Sequence, residues 1–391
     1  MVAVRGGRNL RRRDCDDWLV VTAIVSDLHL GLGSGADLLR RQGFRERLIE
    51  GIAGADRVVL LGDVLELRDR PLPEVLGVAG PVLAEIAAAI PAGELVIVPG
   101  NHDHHLIEPW LERRRLGGAA PLELEQTGRP EGIAFEALCE RIGFANLRFA
   151  YPGFRVREDV YAIHGHYLDR HLTVPTIERL GVAAIERVLG IASSGPDPLL
   201  PPEERRPAEI DEYERVQTPV YALLFGLAQA TTGERRGGAD PSMRLWQMIG
   251  GGESRSARLR GWLVGSVAVP GAVGVANRLG LGPVRSDLSA GAIGRAGIDA
   301  MGELVEELGI DADHVIHGHT HRRGGPEQRR DGGPKLWNTG SWVHSPGLLG
   351  ASAAVSPYWP GTICIVGDEG EPELRHLLDE LEPAELAGDG D

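Results

Sequence analysis

Five short polar clusters hold most of the side chains that could do chemistry. They are Asp27 and His29 in SDLHLG, Asp63 in LGDVLE, Asn101 and His102 in GNHD, His164 in IHGH, and His319 and His321 in GHTH. Imidazole, carboxylate and amide donors without thiolate suit Mn²⁺, Fe or Zn²⁺. Six or more such donors are too many for one ion that keeps an open position. Cys15, Cys139 and Cys364 form no CxxC pair, which argues against a thiolate zinc site or a disulfide framework.

Each cluster ends a short apolar run: WLVVTAIVSD (18 to 27), RVVLLGD (57 to 63), ELVIVPGNHD (94 to 103), VYAIHGH (160 to 166) and HVIHGHTH (314 to 321). Length and β-branched content read as buried strands that deliver polar residues at their carboxyl ends. Helix-like stretches at 36 to 52 and 72 to 90, the second interrupted at Gly80-Pro81, separate the first three runs. The alternation predicts an α/β sheet of mostly parallel strands with the clusters converging. In an extended strand end, Asp27 and His29 would share one side, as would His319 and His321, so that each pair grips one ion.

The domain reading follows from where this rhythm holds. Residues 1 to 17 are expected to be a mobile tail, residues 18 to 170 and 313 to 378 the core, residues 171 to 312 a helical cap inserted into it, and residues 379 to 391 a solvated acidic tail. The insertion contains a Pro-rich stretch (195 to 207) and the apolar run WLVGSVAVPGAVGVANRLGL (262 to 281). That run approaches the roughly 20 residues of a membrane span, yet its glycines and Pro270 weaken a continuous helix. Burial within the cap is the first expectation, and peripheral membrane contact is the alternative.

The ordered set DxH, GD, GNHD, a histidine before glycine, and GHTH resembles the calcineurin-like metallophosphoesterase family, and WNTGS (337 to 341) resembles that family's NPGS element. The resemblance covers residues 19 to 170 and 313 to about 376. It implies a metallophosphoesterase-type β-sandwich flanked by helices. Asp27, His29, Asp63 and His321 would hold one metal and Asp63, Asn101, His164 and His319 the second, with Asp63 bridging. Two such ions about 3.5 to 4 Å apart can activate water and polarise phosphoryl oxygens; Mn²⁺ is expected first, Fe or Zn²⁺ next. By the same resemblance His102 would act on the leaving oxygen, and Glu66 would orient it. The forms GDVLE and IHGHYLD look like the branch with bacterial UDP-2,3-diacylglucosamine pyrophosphatases, small-molecule phosphodiesterases and nucleases. The cap here is far larger than in those pyrophosphatases, so their substrate does not transfer. GDxVDRG, the protein-phosphatase signature, is missing.

The expected activity is hydrolysis of a phosphomonoester or phosphodiester, pyrophosphate included, on a phosphorylated small-molecule or lipid-linked substrate. A nuclease of the same superfamily and a metal-free binding scaffold are the alternatives. Lys and Arg number 41 against 56 Asp and Glu, a net charge of -15, which opposes general nucleic-acid binding. Without a signal-peptide pattern, a cytoplasmic location is expected. Among the remaining polar residues, His104 and His105 are expected to be solvated or capping, Asp103 to cap the following helix, and His166 and His317 to hydrogen-bond in the core. Arg68 and Arg70 could meet phosphate or simply be solvated.

Overall fold

The computed structural model describes residues 20–174, 176–190, 209–230, 274, 277, 278, 287, 290–349 and 352–387. The expected tail at 1 to 17, the Pro-rich stretch and nearly all of the apolar run at 262 to 281 lie outside them.

Among the described residues eleven strands form one sheet: ten lie in the order β11-β10-β1-β2-β3-β5-β6-β7-β9-β8, and β4 (Glu125–Gly128) pairs with β5 (Leu147–Arg157) off this path. The middle of one limb is parallel: β1 (Thr22–Val25), β2 (Arg57–Leu61) and β3 (Glu94–Val98), continuing to β5. So is the middle of the other: β6 (Val160–Ile163), β7 (His314–His317) and β9 (Lys335–Asn338). Antiparallel pairs bind β10 (Thr362–Val366) and β11 (Glu373–His376) to the first limb and β8 (Gly324–Glu327) to the second. The sheet is therefore mixed rather than mostly parallel.

The long strand β5 joins the limbs: Leu147 to Phe149 pair with β3, and Gly153 to Arg157 pair antiparallel with β6. Ile24, Val59, Val96, Ile316 and Trp337, drawn from both limbs, meet in one buried cluster. The sheet thus folds over itself at β5 and encloses an apolar layer between its limbs. Alternate residues such as Val25, Leu60, Ile97 and Ile163 face outward into a second, larger core. Burial on both faces explains the unbroken apolar runs in the sequence.

The outer core is covered by α1 (Gln42–Ile52), α2 (Leu72–Ala89) and α4 (Ile133–Ile142), with α3 (Glu108–Leu116) beside them. Helix α2 runs through Pro81 without the interruption expected at Gly80-Pro81. A proline ring crowds the carbonyl four residues earlier, here that of Gly77, whose surroundings are open. Helix α2 is also long and apolar enough to cross a membrane by composition, but it packs its Val75, Leu83 and Ile86 face into the core.

Within residues 171 to 312 the described residues form α5 (Ile177–Leu189), α6 (Ile210–Ala230) and α7 (Ala290–Glu307). Thr176 caps α5 by accepting from the Arg179 amide at 3.0 Å, and Gly190 ends it in the left-handed region. After β11 comes α8 (Pro383–Ala387), whose Leu386 is fully buried. Asp379 pairs with Arg323. Leu386 and the Asp379 ion pair anchor this part of the acidic tail, while Glu380, Glu382, Glu385 and Ala387 stay exposed.

Candidate metal centre

Strand β1 ends at Val25, β2 at Leu61, β3 at Val98, β6 at Ile163 and β7 at His317. All the candidate ligands follow within four residues of those ends. Asp27, His29, Asp63, His319 and His321 have φ values of 53°, 44°, 51°, 66° and 55°, and they are the non-glycine residues with positive φ among the described residues. The backbone there is not extended, so strand alternation does not aim these side chains. A left-handed residue costs of order 1–3 kcal/mol and persists only where its surroundings over-determine it. Here the loops zip together: the Asp27, His29 and Leu30 amides donate to the carbonyls of Gly62, Asp63 and Val64 at 3.0, 2.8 and 2.9 Å. Gly100 and Gly318 permit the close approach. A Cβ on Gly100 would fall 2.3 Å from Asp63 Oδ1, and one on Gly318 would fall 2.2 Å from Asp27 Oδ2.

The side chains converge in two groups joined by a third that overlaps both. Asp27, His29 and His321 form one, Asp63, His164 and His319 the other, and His29, Asp63 and His102 the one between them. His319 and His321 therefore go to different groups, against the expectation that each pair grips one ion. His321 Nε2 lies 3.3 Å from Asp27 Oδ1 and 3.0 Å from His29 Nε2. Asp63 Oδ2 lies 3.3 Å from His164 Nε2 and 3.7 Å from His29 Nε2, a place between the groups. Asn101 Oδ1 stands 3.2 Å from His164 Nε2 and 3.1 Å from His319 Nδ1.

Outer partners decide which ring nitrogens face inward. His164 Nδ1 meets the Leu61 carbonyl at 2.9 Å, which can only accept, so the neutral ring keeps its proton there and turns the Nε2 lone pair inward. His319 Nε2 meets Asp169 Oδ1 at 2.9 Å, leaving the Nδ1 lone pair inward. His29 Nδ1 meets Glu66 at 2.9 Å, with the same result at Nε2. Lone pairs, a carboxylate and an amide oxygen facing one another are a stable set only around positive charge. Without an ion, protons take that part. Burial lowers the His29 and His164 pKa values, but Glu66 and Asp63 outweigh it for His29, bringing it to about 9, and Asp63 and Asp27 bring His164 to about 10. Asn101 tells the same story: its amide, turned over, would donate to Asp63 Oδ2 at 3.2 Å and accept from Arg68 Nη1 at 3.1 Å. Only the orientation with Oδ1 inward is fit for a cation, so the residues present suit two divalent ions.

The ligand set resembles that of the calcineurin-like metallophosphoesterases.

No family model and no curated protein sequence matches the chain. Solved structures similar to it include a cold-active protein-tyrosine phosphatase of a psychrophilic Shewanella, 11% identical, TM-score 0.27, covering 91% of this chain and 80% of that one. A putative 5'-nucleotidase from Staphylococcus aureus is 12% identical with TM-score 0.32, over 93% of this chain and 55% of its own, so this chain spans about half of its length. A dimetal phosphatase from Danio rerio is 12% identical with TM-score 0.28, over 91% and 98%. Overlaps of this size support no functional reading; the ligand geometry does.

Beside the two groups, His102 takes a place that the ligands alone would not specify. Its Nδ1 lies 2.8 Å from Glu66 Oε2, its amide donates to Asp63 Oδ1 at 2.8 Å, and its Nε2 points to the border, 3.9 Å from Asp63 Oδ2. Glu66 is buried and holds both His29 and His102; burial would raise its pKa, but the two imidazoles hold it well below the ordinary carboxylate range.

Several expectations for the flanking residues need correction. Asp103 makes no side-chain cap. It is fully buried and accepts from the Gly100, Val64 and Leu65 amides at 2.7, 2.8 and 3.2 Å, clamping the GNHD loop to the GD loop. Burial and the nearby Asp63 raise its pKa to about 6. His104 is buried, not solvated, with Nε2 3.0 Å from Glu214 Oε2 on α6. His105 stacks on Phe225 of the same helix. His166 lies in the core, 3.3 Å from the Tyr151 hydroxyl, and Asn338 of WNTGS approaches His317 Nδ1 at 3.3 Å. Arg70 donates to the Gly33 carbonyl at 3.0 Å. Arg68 is buried and donates to Glu178 Oε1 of α5 at 3.1 Å, its guanidinium lying over Tyr221 of α6. Asp169 and Glu214 escaped the sequence reading. Asp169 sits in IHGHYLD, but only the return of β7 brings His319 against it; Glu214 lies in an unremarkable helical stretch.

Proposed function

We propose that the chain is a dinuclear metal-dependent phosphoesterase that hydrolyses a phosphomonoester or phosphodiester, pyrophosphate included. The observation that carries the reading is the pair of adjoining ligand groups whose lone pairs are turned inward by Leu61, Asp169 and Glu66. Asp27, His29, Asp63 and His321 would hold one ion and Asp63, Asn101, His164 and His319 the other, with Asp63 shared by both sets. Bound ions would supply Lewis acidity toward phosphoryl oxygens and an activated water.

The chain's own residues do the rest. Glu66 fixes the His102 ring through Nδ1, so that Nε2 can hand a proton to the leaving oxygen. Arg68, fixed between Glu178 and Tyr221, keeps a guanidinium beside Asn101 at the inserted helices. Helices α5 and α6 act as a cap that selects a phosphorylated small-molecule or lipid-linked substrate in the cytoplasm. The net charge of -15 makes a nucleic-acid substrate the weaker reading.

The test assays chelator-stripped protein, with and without Mn²⁺, Fe²⁺ or Zn²⁺, on nitrophenyl and alkyl phosphomonoesters, phosphodiesters and lipid-linked pyrophosphates. Hydrolysis lost on chelation and restored by one of these ions is expected. His102→Ala should keep both ions yet lose about 10²- to 10⁴-fold on alkyl esters, and less on nitrophenyl esters, whose leaving groups need no proton. Protein that binds no ion and hydrolyses none of these substrates would be the metal-free binding scaffold instead.

A further inference from the structure

Near residue 171, His171, Glu303 and Glu307 each offer a ligand atom within 4.8 Å of the others. His171 follows the short turn His166–Arg170 at the end of the first core segment; Glu303 and Glu307 lie one turn apart on α7, which leads back to β7. None belongs to the ligand groups described above.

Each of the three has one atom held from outside and one left over. The Tyr213 hydroxyl donates to Glu307 Oε2 at 2.7 Å, since a carboxylate can only accept. With its proton committed there, the Tyr213 oxygen accepts from His171 Nε2 at 2.8 Å. In its neutral form the imidazole then carries its proton on Nε2 and a lone pair on Nδ1. Nδ1 stands 3.7 Å from Glu303 Oε1, too far for a hydrogen bond. Two ligands about 2.1 Å from one tetrahedral ion stand roughly 3.4 Å apart. Glu303 Oε2 turns instead toward Arg329, at 3.7 Å. The remaining atom, Glu307 Oε1, has no hydrogen-bond partner although the residue is only 6% exposed. An orphaned buried carboxylate oxygen and a second carboxylate facing an imidazole lone pair call for positive charge.

We infer that His171, Glu303 and Glu307 bind a third divalent cation of Zn²⁺ type, which pins the start of the insertion to its end. One imidazole and two carboxylates without thiolate are a ligand set for Zn²⁺ or Mn²⁺. Tyr213 of α6 is the outer partner that fixes the imidazole and one carboxylate, so all three segments are joined through the ion.

Equilibrium dialysis of stripped full-length protein at low micromolar free Zn²⁺, with metal analysis, tests the site. Wild-type protein should take up three equivalents and Glu303→Gln two, with metal-dependent hydrolysis retained in that variant. Glu303 is half-exposed, so its isosteric change leaves the fold intact. Zn²⁺ should raise the Tm of Asp63→Asn protein, and this rise should vanish when Glu303→Gln is added. Equal Zn²⁺ uptake by wild type and Glu303→Gln would overturn the third site. Failure of the dinuclear reading would be seen separately, as uptake unchanged in Asp63→Asn.

Discussion

In the loops after β1, β2 and β7, five ligand residues sit in left-handed backbone, held by amide-to-carbonyl bonds between neighbouring loops. In helices α5 and α6 the backbone is ordinary helix, and attachment to the core runs through side chains: Ile210 and Tyr213 of α6 enter the main apolar core, and polar groups join beside them. Glu214 accepts from the Tyr151 and Tyr167 hydroxyls, lies 3.0 Å from His104 Nε2, and accepts from Thr218 at 2.8 Å. Gln229 accepts from the Leu72 amide at 2.9 Å, and Glu178 holds Arg68. One region places chemistry through strained main chain over-determined by a sheet; the other is positioned by exchangeable side chains. A metal centre tolerates little displacement, whereas helices held through side chains can vary without moving the loops that carry the candidate ligands.

The comparison breaks most visibly at Asp63, the carboxylate on the border of both ligand groups. Asp63→Asn should bring hydrolysis to background, a loss well beyond the ~10²- to 10³-fold of removing one preorganised electrostatic group, together with lost metal. Two ions per chain and near wild-type turnover in this variant would end the bridging assignment.

Glu214→Gln should act on the other region. Removing the charge that His104, Tyr151 and Tyr167 share is expected to destabilise the fold by about 2–3 kcal/mol, the range of hydrogen bonds to a charged group. Metal stoichiometry should be unchanged, and denaturant melts with metal analysis check both. Loss of the ions together with stability would show that the insertion and the metal loops are one unit.

The smallest effect concerns protons. In metal-free protein His29 titrates at about 9 and His164 at about 10, so near neutral pH both rings carry the charge that an ion must displace. Metal binding should therefore release protons at pH 7, and apparent affinity should tighten by up to about tenfold per pH unit for each proton as pH rises toward those values. Calorimetry in buffers of different ionisation enthalpy reads the release. Heats independent of buffer would mean that these rings are already neutral and that the inward lone pairs need no charge.

Asp27, His29, Asp63, Asn101, His102, His164, His319 and His321 were legible because each follows an apolar run, and a strand buried on both faces must deliver its next residues to the sheet's end. The sequence alone determined this list, the α/β class and the break in rhythm after residue 170. Tertiary structure decided the rest. Five of the candidate ligands carry a left-handed backbone that the apolar pattern before them does not announce, so the strand-alternation pairing failed and His319 parted from His321. Asp103 and Asp169 became partners of the site only when loops distant in sequence closed on them, and Glu214 only when α6 packed onto the turn after GNHD. Strand β5 was missed because its mixed sequence, LRFAYPGFRVR, serves two sheet limbs with different neighbours in each half. Local pattern reports which face a residue must bury; which distant carbonyl or carboxylate then fixes an imidazole's free lone pair is set by long-range packing.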